Sequence, residues 1–324
     1  MKAKTAAYMT ASSLILLICF IWAISTGSVG VSIGEIAGFF GGNSGTANYD
    51  IIMKIRLPRI IFAILVGGML ATSGAMLQAL LKNPLVDPFI TGISSGAAFG
   101  AACAIIAGVS GLIMPSIAGA LVTMYLVYRL SIVFGSLSVS RLLLTGVMIG
   151  SFFSSLIMML NAVFSRDLVK VVFWLMGDLS NINPGLAIYA VIFTALILAA
   201  AVYFANDLNI MATGDDEAKS LGVKTELIKV IYFIFAGILT AISVALSGVI
   251  GFVGLIIPHI TRFFIGPDMR AMIPASFIAG GAFLLCADTL ARTIFLPSEI
   301  PVGVITGLIG VPVFIFLMNS KKNI

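Results

Sequence analysis

Charge is what this sequence has least of. Of 324 residues, 10% are Asp, Glu, Lys or Arg against 60% hydrophobic, at a mean hydropathy of +1.17. No soluble domain of this length covers itself with so little polar surface, so a water-soluble fold is excluded. Histidine is nearly absent too. His259 has no second imidazole or thiolate at ligand spacing, which removes the common zinc sites and leaves an internally satisfied structural histidine as the simplest reading. The three cysteines, Cys19, Cys103 and Cys286, all lie inside apolar tracts without metal-ligand spacing and read as small core residues. There is no GxxxxGK motif followed by Ser or Thr, so the chain does not itself hold a nucleotide in a P-loop. No basic cluster with interleaved aromatics points to nucleic acid. Ionisable residues at mid-span, the mark of proton-coupled and voltage-driven proteins, are almost missing. Asp288 is the best exception, and with Arg292 one turn on it can form an i, i+4 pair.

What is present is a succession of apolar tracts. A spanning helix needs about 20 mostly apolar residues, and open sheet would leave backbone groups unpaired in lipid. The tracts are continuous rather than alternating, which argues against a barrel. The fold class is therefore an all-α polytopic membrane protein, one transmembrane domain over residues 1–324. Its ten spans fall at 8–27, 58–81, 90–108, 112–134, 141–163, 186–205, 228–249, 252–265, 271–294 and 302–319. The eighth is too short to cross alone, and Gly248, Gly251, Gly254 and Pro258 suggest a broken or partly re-entrant helix. A cytoplasmic N-terminus puts twelve of the eighteen Lys and Arg inside, so both termini are expected in the cytoplasm. GILTAISVALSGVIGFVGLIIP echoes GGMLATSGAMLQALLKNPL five spans earlier, the spacing of an inverted repeat.

Polar features concentrate in a few places. The longest water-facing interruption is 206–226, whose Gly214, Asp215, Asp216, Glu217, Ala218, Leu221 and Gly222 read as a short helix with acids at its start and a glycine cap at its end. Ala218, Leu221 and Val223 form its small apolar face. Between Ser28 and Leu57, GGNSG suggests a flexible tip, and VVFWLMGDLS within 165–185 suggests a short helix at the outer surface. Gly146, Gly150, Ser154 and Asn161 form one stripe on the fifth span, and Gly303, Gly307 and Gly310 another on the tenth. Such stripes permit close helix packing and suit a path or a subunit interface. Arg56, Arg59 and Arg292 lie on the outer side, against the positive-inside tendency, where they could meet an acidic partner or simply snorkel.

Seven motifs in order carry a family resemblance: IRLPRI (55–60), SGAMLQALLKNPLVDP (73–88), SRLLLTG (140–146), GDDEAKSLGV (214–223), GFVGLIIPHITR (251–262), ADTLAR (287–292) and PVGVITGLIGVPVFIFL (301–317). Together they resemble the FecCD/BtuC-like permease subunits of type II, binding-protein-dependent ABC importers for iron-siderophore complexes, haem and cobalamin. The resemblance implies a multi-pass permease of the bacterial cytoplasmic (inner) membrane, paired with an identical or homologous second permease. A cytoplasmic ATPase dimer would bind the ATP and Mg, with no cofactor in this chain, and an extracytoplasmic substrate-binding protein would deliver the solute. It implies that 214–222 is the coupling helix, that Arg56, Arg59 and Arg292 meet glutamates of the binding protein, and that Ser138, Val139 and Ser140 form the cytoplasmic gate region. Val139 replaces a Thr of the cobalamin importer. The glycine stripes and Asn161 would face the path or the second permease. An iron-siderophore complex is the leading substrate, then haem, then cobalamin. An ion-gradient-driven transporter, a channel or structural protein, and a membrane enzyme are the competing classes; the missing mid-span charges and catalytic sets disfavour the first and third.

Overall fold

The computed structural model describes residues 2–27, 30–32, 34–35, 47–164, 167–180 and 183–319; the GGNSG tip, Arg166 and the last residues lie outside them. In chain order the helices are α1 (Lys2–Ser25), α2 (Leu57–Leu80), α3 (Ile93–Ile106), α4 (Ile113–Ser131), α5 (Val139–Val163), α6 (Leu168–Leu175), α7 (Ala187–Tyr203), α8 (Ala205–Met211), α9 (Asp215–Ser220), α10 (Thr225–Ser247), α11 (Val253–Ile265), α12 (Met269–Thr293) and α13 (Val302–Asn319). Ten of these occupy the ten predicted tracts, and α6 overlaps the first half of VVFWLMGDLS, where a short helix is expected, starting three residues before it. Among the described residues, seven apolar helices are long enough to cross a membrane, while the apolar stretches of α3, α11 and α13 are shorter. A π-helical turn, Ile51–Arg56, leads into α2.

The bundle is built around α2, where every residue from Leu65 to Gln78 is buried. A helix apolar all round belongs inside a bundle, and α2 packs most extensively on α12, then on α10 and α11. Glycine makes the approach possible. A Cβ on Gly67 would stand 2.3 Å from the Gly280 carbonyl oxygen, and one on Gly74 1.9 Å from that of Gly254, so any side chain there pushes helices apart. Polar residues then tie the crossings: Ser73 Oγ donates to the Ala236 carbonyl at 2.9 Å and lies 2.8 Å from Thr240 Oγ1.

The eighth tract is as short as expected, but of the two readings offered for it the broken helix is overturned. It is not broken; α11 is one helix of 13 residues with Pro258 inside, about 20 Å long, reached by the non-helical segment 248–252. A long helix, a reach without α-helix and a short helix also describe α2, 81–92 and α3, so the two halves share a plan. Burial in protein explains why the bare backbone is tolerated: Gln78 Nε2 lies 3.2–3.3 Å from the carbonyls of Val86, Gly254 and Leu255, tying the first reach to the first turn of α11.

In the first reach Asp87 accepts from the Phe89 N–H at 2.9 Å and caps the 3-10 turn Pro88–Thr91. Burial pushes its carboxyl up to about 6, and the hydrogen bond offsets this only in part. Being raised above the unfolded value, it favours the protonated fold, and stability is lost as pH rises from about 4 through 6. Asp87→Asn keeps the capping oxygen and removes the charge. Its expected gain, up to about 2–3 kcal/mol, is full above pH 6 and vanishes below about pH 4. Thermal unfolding of both proteins at pH 5 and 8 checks it; equal gains at the two pH values would contradict it.

Candidate functional site

One end of the bundle carries a polar foot. α9 begins with Asp215, Asp216 and Glu217, the acid-first order its dipole favours, and closes at Gly222, whose φ of 85° is left-handed as predicted. Glu217 folds back over Gly214, where a Cβ would stand 1.8 Å from its carboxylate. The apolar face divides. Ala218 is 0% exposed and packed into this chain, whereas Leu221 is 69% exposed. The expected single face of Ala218, Leu221 and Val223 is thus corrected: Ala218 holds the foot and Leu221 offers it.

Charged contacts attach the foot to three parts of the bundle. Asp215 meets Lys82, just past α2, at 3.3 Å and Lys229 of α10 at 2.6 Å. Lys229 also meets Glu226 at 2.8 Å, and Glu226 accepts from the Leu137 N–H at 2.7 Å. Partial burial would raise the Asp215 carboxyl, but the hydrogen bonds and charges of Lys229 and Lys82 outweigh it and hold it below its ordinary value. Leu137 belongs to a two-residue antiparallel hairpin, Ile132–Val133 with Ser136–Leu137, turning at Phe134 and Gly135 with φ of 47° and 82°. Directly after it, Ser138 is the N-cap of α5, its Oγ accepting from the Arg141 N–H at 3.5 Å, with Val139 and Ser140 opening the helix. The foot and the start of α5 are therefore joined through one polar chain, which no sequence spacing discloses.

The opposite end gathers the three arginines, but largely inward. Arg56 is 4% and Arg292 6% exposed, and they donate to the carbonyls of Ile24 and Ala23 at the end of α1. Arg59 clasps the buried Asp288 through Nε and Nη2 at 2.9–3.0 Å, and its Nη1 reaches the half-exposed Glu299 at 2.8 Å. Arg292 Nε stands 3.9 Å from Asp288. The expected Asp288–Arg292 pair is therefore secondary, and the picture of three arginines displayed to a partner is corrected: Arg56 and Arg292 complete the unpaired carbonyls of a helix end, and only Arg59 keeps a partly outward edge.

The stripes also turn inward. A Cβ on Gly146 would stand 2.6 Å from the Ile90 carbonyl oxygen, one on Gly303 2.4 Å from that of Met176, and one on Gly310 2.7 Å from the Phe252 side chain. Gly150 lies against Gly92, and Gly307 has only Phe252 near, at 3.9 Å. Gly146, Gly150, Gly303 and Gly310 thus pack this chain against itself, and Gly307 does not. Ser154 and Asn161 do line a cavity of about 270 Å³, together with Ser94 and Ser95. The face of α5 left bare is another one, with Met148, Phe152 and Met159 exposed. Sequence reading followed the small residues and missed this face. Of the cysteines, Cys19 is buried, Cys286 half-buried and Cys103 exposed. His259 is not satisfied as expected: it lines a cavity and has no hydrogen-bond partner among the described residues.

Comparison with known proteins gives a consistent picture. The pattern describing the FecCD transport family matches residues 15–320. The chain is 41% identical to the uncharacterized ABC transporter permease protein YvrB of Bacillus subtilis over 99% of this chain and 95% of that one. It is 39% identical to the cobalamin import system permease protein BtuC of Halobacterium salinarum, over 84% and 74%. A solved inward-facing conformation of a metal-chelate type ABC transporter superposes with a TM-score of 0.87 at 33% identity, covering 96% of this chain and 98% of that one. Further relatives are named for siderophore, iron(3+)-hydroxamate and molybdate import.

Proposed function

The chain belongs to the FecCD transport family as a permease subunit of a type II ABC importer, and on that premise we propose that it moves an iron-siderophore complex across the bacterial cytoplasmic membrane by alternating access. A separate ATPase pair supplies the work through α9, and an extracytoplasmic binding protein delivers the solute at the Arg59 end. The observation that carries this reading is the polar chain from Asp215 through Lys229 and Glu226 to Leu137. It gives a push on the foot a rigid route to the start of α5, the helix whose Ser154 and Asn161 line a cavity. A second permease would cover the bare methionine-rich face of α5, since thioether side chains adapt to a partner that shifts between two states. The chain itself performs no reaction; ATP and Mg belong to the ATPase.

For the substrate, relatives named for siderophore and hydroxamate import and a neighbour named for metal chelates support an iron chelate. The cavity that Ser154 and Asn161 line has no charged residue in its wall, the character of a path that passes a solute without holding it. Titrating the cognate binding protein with ferric hydroxamate, haem, cobalamin and molybdate decides it. Ferric siderophore binding followed by ATP-dependent iron uptake in proteoliposomes is the expected result, and selective binding of cobalamin or molybdate would overturn the substrate.

Glu299 gives the docking end a testable sign. It sits on the outward edge of Arg59, so an acidic partner at that edge must compete with it. Glu299→Gln should tighten binding-protein affinity about 3-fold, the scale of a half-exposed ion pair, whereas Arg59→Glu should weaken it. Weaker binding in Glu299→Gln, measured by titration on the reconstituted permease, would remove Arg59 from the docking surface.

A further inference from the structure

GFVGLIIPHITR ends in a cationic turn that the coupling chain does not use. His259 and Arg262, three residues apart on α11, line a cavity of about 870 Å³ together with Lys82, Asn209, Phe263 and Met269. None of its lining residues is acidic. Arg262 is only partly exposed and has neither an ion-pair nor a hydrogen-bond partner among the described residues. Two acids of the adjoining segments are engaged: Asp215 by Lys82 and Lys229, and Asp268 by the Asn209 amide at 2.7 Å and the Arg270 N–H at 3.1 Å. A half-buried guanidinium without a counter-ion is costly unless something outside the chain supplies one.

The position narrows what that is. Lys82 lines the cavity and also holds Asp215, so the cavity adjoins the foot on the same end of the bundle. Its walls include Ala79, Pro84, Leu208 and Ala212, giving a pocket with apolar sides and a cationic floor. We propose that this cavity receives an acidic side chain of the ATPase subunit, with Arg262 as its counter-ion, as a second contact beside α9. The inference rests on the coupling role given to the foot, and it adds a charge-specific site to that contact. An Arg fork matches a carboxylate in two parallel hydrogen bonds, which fixes the orientation of the partner as well as holding it.

The test uses the full permease in lipid nanodiscs with its own ATPase. Wild-type affinity should fall with added salt. Arg262→Gln should weaken it about 10-fold and flatten the salt dependence, since breaking one desolvated charge pair at an interface costs at least that much. Arg262→Lys, which keeps the charge and controls for folding, should lose less than Arg262→Gln. Affinity and salt dependence unchanged in both Arg262→Gln and Arg262→Glu would overturn the inference. So would equal losses in the Lys and Gln variants with an unchanged salt slope, the mark of a purely structural arginine. If Arg262→Gln instead lowers retention of phosphatidylglycerol, by native mass spectrometry, and leaves ATPase affinity intact, the cavity is a lipid site and the inference fails. A wild-type chain that binds no ATPase would overturn the coupling role along with it.

Discussion

Asp288→Ala is expected to destabilise the permease by about 3–5 kcal/mol, the cost of leaving buried arginines without their carboxylate. Asp288 is 1% exposed and holds Arg59 through two guanidinium nitrogens, with Arg292 3.9 Å away. Removing it leaves Arg59 and Arg292 with, among the described residues, Glu299 as the nearest carboxylate, and Glu299 is 49% exposed and screened by water. Because Arg56 and Arg292 also bind the last carbonyls of α1, the damage spreads from the α2–α12 contact to the seating of α1. Thermal unfolding in detergent measures it, and a shift below about 3 °C, the scale of 1 kcal/mol in a chain of a few hundred residues, would contradict it. Replacing Arg59 and Asp288 together by Met and Leu should recover part of the loss, since a well-packed apolar pair avoids the desolvation that the ion pair incurs.

Leu221→Asp is the second large effect, and it falls on transport rather than on folding. Leu221 is 69% exposed on the foot, so its loss leaves the bundle intact; by placing a charge in an apolar contact with the ATPase it should cost 2 kcal/mol or more there, about 30-fold in affinity. Uptake in proteoliposomes should fall accordingly while the ATPase still hydrolyses ATP. Ala218→Asp, only three residues away, should behave differently: it forces a carboxylate into a site with 0% exposure and dislodges α9 itself, lowering the melting temperature as well. Unchanged uptake in Leu221→Asp would remove α9 as the coupling element, and identical behaviour of the two variants would refute the inward and outward roles of its two apolar residues.

The membrane class, the ten tracts, the capped acidic foot and the family were all legible in the chain. Each follows from a property of neighbouring residues: unbroken apolarity long enough for a bilayer, acids before a helix and glycine after it, motifs in fixed order. The short α11 was marked by its length, but its glycines and proline suggested a break that the fold does not make, because surrounding protein satisfies the reach before it and the helix itself runs uninterrupted. What needed the tertiary structure is where each polar residue and each glycine finds its partner. Arg59 meets Asp288 and Glu299 from 229 and 240 residues away, and Leu137 meets Glu226 across 89. The glycine stripes were visible as stripes, yet a stripe does not state which neighbour it admits; here it admits this chain's own backbone and leaves the methionine face of α5 bare. Periodicity fixes which residues share a face of a helix, whereas the direction of that face depends on how every other helix has packed.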